Sequence, residues 1–528
     1  MLSREKAAVL AIAVAALIVG PRVADGQRLK PIPYRVGHPQ SAAQATINSS
    51  SSEASPWTPL TNQPTFLTSG AANPILLTDG TVLVQDAGSQ DWWKLTPDQN
   101  GSYVNGTWTE VASLPSGYAP LYHSSAVLPD GRLIIEGGEY NFFQPAETPQ
   151  GAIYDPRANT WTSVSPPSDS GKVWRTIGDA PSVVLANGTY MQANCCTKQT
   201  ALLNPKSLTW TSTGADKFDV NAEEGWTLLP NQNVLTVDAY VFSYDPTGTN
   251  SEIYNPFSGK WHSAGSTVVQ LWDSAAACGG EKFATYEVGP AVLRPDGTVF
   301  ATGANSCGAG HTAIYNSKTG VWAVGPDFPN NLDIADGPAS LLPNGNVLVD
   351  ASPGFGFPQT FFFEFDGRSL NPVPGPPNAP FDASFFGNML VLPTGQILFT
   401  DFSDDIEIYT AKGDYNRAWA PRIEKAPTAV RPGGSYVVSG LHFNGFSQGA
   451  AYGDDVQAAT NYPLVRITNL ATGHVFYSRT HGHSSMAVAF GGIVSTHFDV
   501  PAGQEAGRSR LEVVANGISS APIIISVQ

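Results

Sequence analysis

Residues 122–141 read YHSSAVLPDGRLIIEGGEYN, and residues 152–164 continue the unit as AIYDPRANTWTSV. Two short apolar runs flank Asp130-Gly131, a pair suited to the left-handed backbone of a tight β-hairpin. Gly137-Gly138 then allows close backbone approach, and Tyr154 and Trp161 supply large rings to fill the space between sheets. The same turn recurs at Asp79-Gly80, Asn187-Gly188, Asn231-Gln232, Asp296-Gly297, Asn344-Gly345 and Thr394-Gly395, with separations of 44 to 65 residues. Tyr254 with Trp261 and Tyr315 with Trp322 keep the spacing of Tyr154 with Trp161, and Leu203 with Trp210 keeps it with one substitution. A period of about 50 residues marks a repeat architecture of four-stranded units, and seven turns predict seven blades of an all-β propeller.

Composition agrees. Charged residues make up 14% of the 528, while 52 Gly and 42 Pro fit a chain that reverses direction often. The formal net charge of −16 opposes a phosphate backbone, which excludes nucleic acid as a natural partner. At the N-terminus, Arg4 and Lys6 precede the apolar run Ala7 to Val19, and Ala24-Asp25-Gly26 resembles a cleavage site. The expectation is a signal peptide over 1–26 and a secreted or periplasmic monomer, free of the membrane after cleavage. The Ser- and Ala-rich residues 27–60 read as a flexible linker, 61–420 as the propeller, and 421–528, with the alternation of LVRITNLATGHVFYSRTHGHSS, as an immunoglobulin-like sandwich. In an oxidising compartment the four cysteines favour pairing. Cys278 and Cys307 flank one repeat and are expected to bridge, whereas Cys195 and Cys196 are either a strained vicinal pair or buried thiols.

The turn, glycine-doublet and aromatic pattern is similar to kelch repeats. Together with the sandwich opening RPGGSYVVSG at 431–440, an early-set-type start, it resembles the secreted galactose oxidase and glyoxal oxidase family. That resemblance implies a copper held by two tyrosines and two histidines, with one tyrosine cross-linked to a cysteine. Tyr122 falls where the cross-linked tyrosine is expected. The facing stretch TSGAANPILLTDG at 68–80 has no cysteine, and DASFFGNMLVLPTG at 382–395 has Phe385 and Phe386 where a Tyr-His pair belongs. Phenylalanine offers no lone pair to a metal, so the radical-copper reaction is disfavoured. RTHGHSS at 479–485 resembles the family's C-terminal histidine segment, making His481 and its neighbour His483 candidate ligands.

Counting back from each turn, the positions that converge on the channel mouth are Tyr122, His123, Asp179, Glu224, Glu287 and Asp336. Carboxylates gathered at one mouth repel unless they bind a cation or share protons. Oxygen donors suit Ca²⁺ or Mn²⁺, and recruitment of His481 or His483 shifts the preference toward Cu²⁺. Trp174, Trp226, Tyr286, Phe385 and Phe386 are candidates for a carbohydrate-stacking floor. The expected function is therefore a secreted protein binding a cation and a carbohydrate. The alternatives are an oxidase with a rearranged copper site at Tyr122, His123 and His481, or a metal-assisted carbohydrate hydrolase or lyase.

Overall fold

The computed structural model describes residues 55–239, 248–273, 285–305, 307–456 and 458–528. The signal-peptide reading, most of the linker and Cys278 lie outside these residues. The described chain is all-β: among its residues the helical elements are 3₁₀ turns such as Pro329–Asn331 and Ser384–Phe386. Antiparallel sheets of four strands follow one another. The first is built from Ala71–Leu76, Val82–Asp86, Trp92–Thr96 and Thr107–Glu110, and the second from Ser124–Val127, Leu133–Glu136, Gly151–Asp155 and Thr160–Val164. Sheets three to seven open with Ser182–Val184, Thr227–Leu228, Val288–Leu293, Ala339–Leu341 and Asn388–Val391.

Burial falls from the first strand of a sheet to the last, and the sequence follows it. Ala71–Leu76, Val82–Asp86 and Leu133–Glu136 are buried on both faces, which is why they are nearly continuous apolar runs. Thr107–Glu110 and Thr160–Val164 are largely exposed and read as Thr-rich alternations around one Trp.

Each predicted turn joins the first and second strands of its sheet. The second turn residue is left-handed in every copy, from Gly80 (φ 77°) to Gly395 (φ 81°), and Gln232 adopts φ 71° in place of glycine. The loop is one residue longer than the two-residue form predicted. Gly80 N–H donates to Leu77 O and Leu77 N–H to Thr81 O, a type I turn closed by a left-handed residue. Asp or Asn suits six of the seven turns because its side chain accepts from the backbone two residues on, as Asp130 does from Arg132 and Asn187 from Thr189; Thr394 takes this place in the seventh.

The aromatic pairs are cross-strand neighbours on the third and fourth strands: Tyr154 faces Trp161 with ring centroids 5.0 Å apart, and Tyr315 faces Trp322 at 5.0 Å. In several sheets the Trp indole ties the sheet to its predecessor. Trp161 Nε1 donates to Ala112 O, and Trp210 Nε1 to Ser165 O. In the seventh sheet this pair is split between distant parts of the chain. Trp57–Pro59, read from sequence as linker, is its fourth strand. Trp57 faces Tyr409 and donates to Pro374 O at 2.6 Å, beside the sixth sheet. The strand that completes the last sheet thus comes from ahead of the first.

Residues 422–527 form a second set of strands, from Arg422–Lys425 to Ile523–Val527, around Val438, Phe443, Val465, Ile467, Phe498 and Leu511. This unit sits on the hairpin turns of the four-stranded sheets. Thr480 N–H donates to Thr78 O, His483 N–H to Pro129 O, and Met486 N–H to Ala186 O. Between Ser435–Leu441 and Leu464–Asn469, one segment leaves it and runs along the first strand of sheet six. Leu341 N–H donates to Gly449 O, and Ala450–Ala451 pairs with Ala339–Leu341 as a fifth strand.

Trp57→Ala should cost about 3–5 kcal/mol in chemical denaturation, as removal of a large buried ring does. A loss below about 1 kcal/mol would contradict its role in completing the seventh sheet.

Candidate metal centre

At the ends of the sheets opposite the turns, carboxylates precede the first strands: Asp179 in sheet three, Glu223 and Glu224 in four, Glu287 in five and Asp336 in six. The inserted segment ends there, in Gly453-Asp454-Asp455. Ligand oxygens of Glu287, Asp336 and Asp454 lie within 4.8 Å of one another, as do those of Asp179, Glu223 and Asp454. Glu147, Asp179 and Cys195 form a third group. Because Asp454 and Asp179 each belong to two groups, the acids form one connected line, and every member is buried.

The approach of the segment depends on glycine. A Cβ on Gly453 would sit 1.9 Å from Asp336 Oδ1, and a Cβ on Gly225 would sit 2.3 Å from Gly453 O. Asp336 and Glu223 adopt φ of 57° and 55°, conformations uncommon for such residues and often retained at functional positions.

Sequence reasoning selected Asp179, Glu287 and Asp336, which the structure brings to this mouth. It missed Asp454, Glu223 and Glu147. The signal for Asp454 was the sequence AYGDDV at 451–456, a polar tip inside an otherwise strand-like unit. For Glu223 the error was one residue. Glu224 points away, into a separate buried group with Asp219 and Asp238. There Lys217 Nζ lies 2.6 Å from Glu252, 3.2 Å from Glu224 and 3.9 Å from Asp238, with all these side chains buried. Burial opposes the ammonium charge, but the surrounding carboxylates outweigh it and hold Lys217 above its usual range. Glu252 also accepts from the backbone of Phe218 and Asp219 and is the principal partner of the ammonium. One cation does not neutralise the whole group, and burial raises Glu224 to about 8.

The predicted histidine ligands do not join the acids. His481 Nε2 contacts Asp499 Oδ1 at 3.1 Å, and its ring stacks near His497. His483 contacts Thr496 Oγ1 at 2.9 Å and stacks on Tyr462. Both lie at the turn end, as the bond from His483 N–H to Pro129 O shows. His123 contacts Gln85 Oε1 and Ser124 O through its two ring nitrogens. Tyr122, left-handed at φ 52°, lines a small cavity with Asn73, Asn388, Phe402 and Tyr452. Of the residues expected to make a carbohydrate floor, Trp174, Trp226 and Phe385 are buried among other side chains, whereas Tyr286 and Phe386 are half-buried. Cys307 is disulfide-bonded, while Cys278 lies outside the described residues.

No family model matches the chain, and no curated protein matches it. Among solved structures it is similar to a streptogramin B lyase, with 10% identity over 67% of this chain and 96% of that one at a TM-score of 0.43. It is similar also to the extracellular domain of a hybrid two-component system from B. thetaiotaomicron, with 10% identity over 87% of this chain and 57% of that one at 0.44. A virginiamycin B lyase from Staphylococcus aureus matches with 9% identity over 67% of this chain and 98% of that one at 0.41. The resemblance to kelch proteins and to the galactose oxidase and glyoxal oxidase family is therefore corrected: the structural neighbours are other propellers, and neither a family model nor a curated protein supports the assignment. The turn and aromatic signals report the mechanics of this chain's own four-stranded sheets.

Replacing Lys217 with Met should cost about 3–5 kcal/mol in chemical denaturation, because it strands buried carboxylates without their cation. A near-neutral effect would contradict the ion group. Burial lowers His123 to about 4 and His483 to about 3, against about 6.5 in the unfolded chain. Between about 6.5 and about 4 the unfolded chain takes up protons that the folded chain excludes, so stability should fall as pH drops through this window. His483→Gln should flatten the fall, and an unchanged slope would contradict a buried neutral imidazole.

Proposed function

We propose that the protein is an exported seven-bladed β-propeller with a C-terminal immunoglobulin-like sandwich, and that it binds a divalent cation at the channel mouth through Glu287, Asp336 and Asp454. The observation that carries this reading is the convergence of three buried carboxylates from two parts of the fold within 4.8 Å. At an effective dielectric of about 20, each like-charged pair at 4 Å costs about 4 kcal/mol, a repulsion that a divalent ion offsets. Donors that are all oxygen favour Ca²⁺, Mg²⁺ or Mn²⁺ over softer metals. The burial of all three favours a cation that fastens the inserted segment over a catalytic metal, which needs a position open to substrate.

The test is thermal and chemical unfolding of the full chain in chelator and in Ca²⁺. Ca²⁺ at a hundredfold excess over its dissociation constant should add about 2.7 kcal/mol. Asp336→Asn should be more stable than the parent in chelator, because one repelling charge is gone, and should lose most of the Ca²⁺ response. If Ca²⁺, Mg²⁺ and Mn²⁺ all leave the parent unchanged, the cation reading is wrong.

A further inference from the structure

Cys195 and Cys196 follow the strand Tyr190–Ala193, and their sulfurs lie 2.7 Å apart, about 0.7 Å beyond a covalent S–S bond. Adjacent Cα atoms are about 3.8 Å apart, closer than in ordinary disulfides, so a ring between neighbours closes only with unusual backbone geometry. Cys196 has it, with φ at 63°. The pair also bridges two acid-bearing segments. Cys195 N–H donates to Ile177 O, two residues before Asp179, and Cys196 N–H donates to Asn221 O, two residues before Glu223. Asn221 N–H in turn donates to Thr197 O at 2.6 Å.

We propose that Cys195 and Cys196 form a vicinal disulfide that braces the Asp179 and Glu223 segments of the channel mouth. A thiolate-bound metal at this corner is less consistent with the surroundings. The Cys196 hydrogen bond, burial, Glu147 and Asp179 together push the Cys195 thiol well above its usual range, and the Cys196 thiol is also raised. A neutral disulfide carries no charge beside these carboxylates.

The oxidant is a low-molecular-weight disulfide, RSSR. The partly exposed Cys196 loses its proton to solvent and its sulfur attacks RSSR, releasing one thiolate and forming a mixed disulfide. Cys195 then gives its proton to a neighbouring carboxylate and attacks Cys196 Sγ, displacing the second thiolate. Both cysteine sulfurs are oxidised, RSSR is reduced, and both leaving thiolates end as RSH.

The folded full chain is incubated with oxidised glutathione, then denatured in excess iodoacetamide without reductant, digested and weighed. The peptide spanning both cysteines should carry no alkyl group and be lighter than its dithiol form by two hydrogens, and it should gain two alkyl groups only after reduction. Two alkyl groups before reduction, retained glutathione, or a link to another cysteine would each overturn the proposal. Cys196→Ser should yield an alkylated or glutathionylated Cys195, which confirms that the assay detects this site. Asp454→Asn removes a proposed cation ligand and should leave the thiol count unchanged, so failure of the cation site and failure of the ring are read separately.

Discussion

Residues 449–455 pass closely against strands carrying buried acids, and that passage is the constraint on which the mouth depends. The segment is held at its base by Leu341 and Gly449, along its length by pairing of Ala450–Ala451 with Ala339–Leu341, and near its tip by Tyr452, whose hydroxyl donates to Phe385 O. Gly453 then passes Asp336 with no room for a side chain. A hydrogen-bonded strand thus delivers a carboxylate into an acidic site, and backbone pairing offsets part of the repulsion that delivery creates. The same pairing welds the C-terminal unit to the sheets, so the two parts are mechanically one where the acids meet.

Two buried electrostatic solutions stand side by side. Around Lys217, an internal ammonium partly balances the acids and the remainder is held toward the protonated form. At the mouth, by contrast, Glu287, Asp336 and Asp454 bring ligand oxygens within 4.8 Å of one another. Glu223 and Glu224, adjacent in sequence, have different roles: Glu223 is itself left-handed at φ 55°, and one side chain of the pair goes to the mouth while the other goes to the lysine.

Much of the architecture was legible because turn chemistry and strand burial are local. Asp130-Gly131 and its counterparts locate every first hairpin, and the Tyr154 and Trp161 spacing locates the outer strands. Trp57 was not legible, because the signal that identifies it is pairing with Tyr409 across the whole propeller. Asp179, Glu287 and Asp336 followed from counting back to the strand starts. Asp454 did not, since it reaches the mouth from another unit. His481 and His483 were misplaced because their motif was read by likeness, whereas contacts with Asp499, Thr496 and Pro129 fix them at the turn end.

The most direct test of the account is a crystal structure of the full chain grown with Mn²⁺, with anomalous scattering recorded at the metal edge. The account predicts a peak bounded by carboxylate oxygens of Glu287, Asp336 and Asp454, with Gly453 against Asp336. A channel from which residues 444–463 are absent, or a fully occupied Mn²⁺ elsewhere with no density among these three acids, would contradict it.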